Sequence, residues 1–130
     1  MENVTDYAFI EQDRPVLEAE LRGGEEYPDI RGKVYAYALP DGLYLQGDFE
    51  NMPINSDFAF HVHEGLLCEN KGEKILLLPD VFSDGTGNAS AQIYLDRADH
   101  TQIAGRPIVL HLKSNGDEIT VACGLFQRVL

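Results

Sequence analysis

The sequence predicts an all-β domain, a β-sandwich or flattened barrel of seven or eight short strands with Greek-key connections. Two observations carry this reading: short apolar, β-prone runs recur along the chain, each bounded by turn chemistry, and helical periodicity is nearly absent. The first run covers residues 15–22 and stops at Arg22-Gly23-Gly24. Residues 30–39 and 43–50, VYAYAL and LYLQGDF with Pro40-Asp41-Gly42 between them, read as a hairpin. Residues 57–63 form the fourth run, and residues 74–78 form a shorter one before the turn Ser83-Asp84-Gly85. Residues 89–95 follow. Residues 96–103 are polar and read as a loop with at most one helical turn. Residues 107–112 and 118–126 then flank the turn Ser114-Asn115-Gly116-Asp117. A chain of 130 residues supports one such domain, placed at 15–130, with residues 1–14 as a short N-terminal extension.

Composition narrows the function classes. A net charge of −12 disfavours nucleic acid and anionic membranes as partners, and makes cations the natural ones. The N-terminal stretch MENVTDYAFIEQDR has Glu2 and Asp6 where a secretory signal would carry Lys or Arg, which predicts a cytoplasmic protein. Cys68 and Cys123 are either a disulfide or two thiols, and in a cytoplasmic chain the thiol reading leads. The runs at 34–39 and 43–45 could form a homodimer face, although strand residues of this kind are more often core.

The stretch FHVHEG carries the chemistry. Strand side chains alternate faces, so His61 and His63 share one face and Val62 takes the other. Two imidazoles crowded together are awkward as packing but suit two ligands converging on a metal ion. A third histidine, His111, ends the run GRPIVLH on the same face as Val109, opposite Ile108 and Leu110. His100 instead lies in the polar loop DRADHTQ. Neutral imidazoles favour copper or zinc.

These residues carry a resemblance. FHVHEG, Cys68, IAGRPIVLH and ACG with Cys123 occur in the order and context of the copper/zinc superoxide dismutase family. LRGG followed by IRGKVYAYAL resembles the opening hairpin of that family, and LPDVFSDGTGNA resembles its stretch after the zinc ligands. The resemblance implies an eight-stranded Greek-key barrel, copper ligands at His61, His63 and His111, and an intrasubunit disulfide between Cys68 and Cys123. It therefore reverses the thiol reading.

The departures from the family are equally informative. The long loop that carries the copper–zinc bridging histidine and the zinc histidines is represented only by Glu69-Asn70-Lys71-Gly72-Glu73. The position expected to hold the zinc aspartate is Leu77. The arginine beside the copper, three residues before the second cysteine, falls on Thr120, whereas Arg106 matches a different, structural arginine. Glu64 is a poor substitute because it lies on Val62's side of the strand. The expectation is a three-histidine copper site, able to take zinc instead, with no separate zinc site. Superoxide is the candidate substrate and dismutation is weak or residual. The alternative is a non-catalytic metal-binding or structural member of the fold.

Overall fold

The computed structural model describes residues 14–129. All but one residue of the expected N-terminal extension therefore lies outside the described residues. Among the described residues nine strands are present: β1 (Leu17–Gly23), β2 (Arg31–Leu39), β3 (Gly42–Glu50), β4 (Asp57–His63), β5 (Lys74–Phe82), β6 (Ala89–Asp96), β7 (Pro107–Ser114), β8 (Asp117–Leu125) and β9 (Gln127–Arg128). A 3-10 turn at His100–Gln102, the one helical element among the described residues, fits the loop of at most one turn expected there. Strand pairing is antiparallel, in the order β5-β4-β7-β8-β1-β2-β3-β6. The edge strands β5 and β6 approach each other, so the sheet curls into a nearly closed Greek-key barrel.

Alternation decides what fills it. Leu17, Ala19 and Leu21 of β1, Val34 and Ala36 of β2, and Leu43 and Leu45 of β3 point into one core with Phe58, Phe60 and Val62 of β4 and Ile108 and Leu110 of β7. Of the runs weighed as a possible dimer face, Val34, Ala36, Leu43 and Leu45 are core residues, the reading favoured for strand residues of this kind. Turn chemistry fixes the registers. Ser114 pairs with Asp117 across Asn115 and Gly116, whose φ values of 53° and 86° are the left-handed pair that a tight type I′ hairpin demands.

Two elements differ from the sequence reading. Strand β5 continues past residue 78 to Phe82, although Pro79 has no N–H to give a ladder. Its pairing with β4 jumps from Phe60↔Leu78 to Phe58↔Val81, so Pro79 and Asp80 bulge together opposite Ala59 and the proline costs no ladder bond. Strand β9 is an addition. Phe126 turns fully into the core, its N–H donating to Arg106 O, and the chain resumes pairing with β1 beyond it.

Candidate metal centre

Strands β4 and β7 are neighbours at the middle of their half of the sheet, with Ala59 opposite His111 and His61 opposite Val109. Residues opposite one another share a face. Since Phe58, Phe60, Val62, Ile108 and Leu110 point into the core, His61, His63 and His111 stand together on the outer side of the barrel wall. Ala59 and Val109 between them are small enough to let the rings converge. Ring centroids are 5.0 Å apart for His61 and His111, 5.7 Å for His63 and His111, and 6.1 Å for His61 and His63.

The rings are only 5–6% exposed although they lie outside the core. Each keeps one buried nitrogen without a hydrogen-bond partner: Nδ1 of His61, Nε2 of His63 and Nε2 of His111. Buried polar atoms left unpaired call for an explanation. One ligand atom from each ring lies within 4.8 Å of the others, so all three reach a common point within about 2.8 Å (4.8/√3). Imidazole–metal bonds of about 2.0–2.1 Å then require ring shifts of less than about 1 Å.

Backbone and hydroxyl groups set the ring orientations. The Nδ1 of His63 lies 3.0 Å from Gly72 O, a pure acceptor, so Nδ1 carries the proton and Nε2 keeps its lone pair. Gly72 has φ of +75°, and a Cβ there would meet Glu64 Cγ at 2.7 Å. Glycine is therefore what allows that carbonyl to turn toward the ring. The Nδ1 of His111 lies 3.1 Å from Thr120 Oγ1, and donation from the ring to the hydroxyl again leaves Nε2 free. Thr120 reaches this position because the β7–β8 pairing shifts between Leu110 and His111, which leaves Val121 as the extra residue.

The segment 64–73 is closed on itself by backbone bonds and tied to the rest of the barrel by Arg106 and by a disulfide. Glu64 N donates to Glu73 O and Gly65 N to Lys71 O, Arg106 Nη1 donates to Glu64 O, and Cys68 is joined to Cys123 of β8 in a disulfide with Cα atoms 6.0 Å apart. Arg106 is thus structural, as expected. Glu64 is engaged with the Glu73 N–H and takes no place in the triad. Leu77 sits opposite His61 on the same face, 69% exposed. His100 lies away from the triad, with Nδ1 3.3 Å from Asp99 Oδ1.

Burial favours the neutral form of His61 and His111. Burial, reinforced by His61 and His63, pushes the His111 pKa down to about 4. Burial also lowers that of His61, with Lys74 adding to the effect and Glu118 opposing it. Those two charges meet each other: Lys74 Nζ lies 3.2 Å from Glu118 Oε1.

The structure brings together the three histidines singled out from the sequence and joins the two cysteines. Sequence reasoning missed the Gly72 carbonyl, the Thr120 hydroxyl and the pair of Lys74 and Glu118. The Asn70-Lys71-Gly72 turn was a usable signal for the first, whereas the bulge behind the second leaves no mark in the residue pattern.

No protein-family model matches the chain, and no curated protein matches it. Among the described residues no helix is long and apolar enough to cross a membrane.

Proposed function

We propose that this chain is a copper-binding protein of the superoxide dismutase type, with a pared-down three-histidine site that dismutates superoxide weakly. The observation supporting it most directly is the set of three buried, unpartnered ring nitrogens on one face of two adjacent strands. Three neutral nitrogen donors suit Cu(I), and Cu(II) when water completes the coordination; zinc with one water fits the same donors. Bound copper would supply a one-electron couple. The chain's part is to hold the ligands: His61 through Nδ1, His63 and His111 through Nε2, with Gly72 O and Thr120 Oγ1 fixing two of the rings.

What the site lacks predicts a slow reaction. An incoming anion needs a cation to hold it and a proton source for the peroxide that leaves. Position 120 offers a hydroxyl and no cation, and the net charge of −12 repels anions. Lost steering removes about 10 to 10³ in association rate. Lack of a positioned acid removes about another 10² to 10⁴. The test is copper titration of the intact protein with visible spectroscopy, followed by a superoxide assay. One equivalent of copper with a visible band, lost in His61→Ala and His111→Ala, together with slow but measurable dismutation, is the expected result. Copper bound equally by wild type and both variants would end the reading. A full visible band without dismutation would favour the non-catalytic alternative, which the hydroxyl at position 120 supports.

A further inference from the structure

Three neutral imidazoles give a bound cation no compensating charge, so the charged groups nearest the triad decide which oxidation state it prefers. The sheet order β5-β4-β7-β8 puts Lys74 and Glu118 on the two strands flanking the histidine-bearing pair. Lys74 pairs with His63 and therefore shares its outer face. Glu118 pairs with Lys113, two residues beyond His111, and shares that face too. Strands β5 and β8 are three strand spacings apart, about 14 Å. The 3.2 Å contact between Lys74 Nζ and Glu118 Oε1 is therefore made by two long side chains leaning toward each other across the outer face of β4 and β7. The pair crosses the sheet on the face that carries the three free nitrogens. Both charges are felt by His61 and His111, the lysine opposing and the carboxylate favouring positive charge there. Asp57 and Asp80, the other carboxylates of this region, are drawn to Lys113, 3.9 and 2.6 Å away.

We infer that Glu118 is the charge-compensating carboxylate for a divalent ion held by His61, His63 and His111, and that Lys74 is its counterweight, restraining Glu118 while the site is empty. The inference rests on the metal-site reading above and deepens it. A doubly charged ion attracts Glu118 and repels Lys74, and an exposed lysine–glutamate pair is too weak to resist that rearrangement. Cu(I), with half the charge, gains less from the carboxylate. Glu118 therefore tunes the site toward Cu(II) and Lys74 holds it back, so the balance of the two sets the potential of the copper couple.

The decisive measurement is the affinity of the full chain for Cu(II) and for Cu(I), each by competition with a chromophoric chelator, in wild type, Glu118→Gln and Lys74→Met. Both residues are exposed, so both variants should fold, as a thermal melt will verify. Glu118→Gln should weaken Cu(II) by about tenfold, in the range known for supporting groups around a metal, and Cu(I) by clearly less. Lys74→Met should tighten Cu(II). The opposite signs are the signature, because each variant breaks the same ion pair and a purely structural role would move both the same way. Equal signs, or no change in either variant while His61→Ala abolishes binding, would overturn the inference and leave the metal site standing. Wild type taking up no copper would overturn both.

Discussion

Replacing Thr120 by valine isolates a hydroxyl that orients one ring of the proposed metal site. Valine keeps the shape and β-branching of threonine, so the strand and its bulge should persist. What is lost is the 3.1 Å contact between Thr120 Oγ1 and His111 Nδ1. A buried polar group stripped of its partner costs about 1–3 kcal/mol. Thr120 is itself exposed, so water can reach part of the vacated position, which places the stability cost near the lower end, about 1 kcal/mol. The ring, however, is then free to rotate or to move its proton to Nε2, the atom that would face the metal. Copper affinity should therefore fall by about tenfold, since supporting partners of ligating histidines are worth about 10–100-fold. Chelator competition reads the affinity and chemical denaturation reads the stability. Unchanged affinity in a variant destabilised by about 1 kcal/mol would refute the claim that the hydroxyl positions His111 for a metal. The same contact changes the outlook for arginine at this position. Thr120→Arg adds a cation near the site but removes the group that orients His111.

Replacing Cys68 and Cys123 by serine should lower stability by up to about 4 kcal/mol, the chain-entropy value for a cross-link between residues 55 apart. It should also weaken copper binding, because the segment from 64 to 73 carries the carbonyl that orients His63; urea melts and metal titration check both. Metal-free protein should lose stability on acidification. The His111 pKa is depressed from 6.5 to about 4 in the fold, so its contribution is intact above pH 6.5 and is lost as the unfolded chain takes up a proton between pH 6.5 and about 4. That amounts to about 2 kcal/mol between pH 7 and pH 5 from this group, and His61 acts in the same direction. A pH-independent urea midpoint over that range, or an unchanged slope in His111→Gln, would contradict it.

What was legible in the sequence was what alternation and turn chemistry encode. His61 and His63 share a face because of the period of two, and Asn115-Gly116 announced its own hairpin. Places where the ladder slips were not legible. Pro79 in LPDVF reads as the end of a strand, and only the bulge opposite Ala59 lets the strand continue. The slip beside His111 likewise puts Thr120 against the ring, where strict alternation from Cys123 would have given no reason to look. Contacts made by long side chains across two strands, as between Lys74 and Glu118, lie 44 residues apart and depend wholly on the strand order.

That strand order also explains how a site so reduced keeps its ligand geometry. On the proposed reading, the groups missing from this chain are those a long loop would carry: the bridging histidine and the zinc ligands. The three that remain are borne by β4 and β7, whose opposite faces pack Phe58, Phe60, Val62, Ile108 and Leu110 into the core. Moving His61 or His111 out of place would drag these buried residues with it, so the geometry of the triad is held by the same burial that stabilises the barrel. Loop-borne ligands have no such tie, since a loop can shorten without disturbing the core. A metal site divided in this way should lose its catalytic refinements before its capacity to bind. The expected order of sensitivity follows: substitutions on the histidine face, such as Thr120→Val or Glu118→Gln, should alter affinity and redox preference at a stability cost of no more than about 1 kcal/mol, whereas Phe60→Ala should abolish binding through loss of several kcal/mol of core packing, about 3–5.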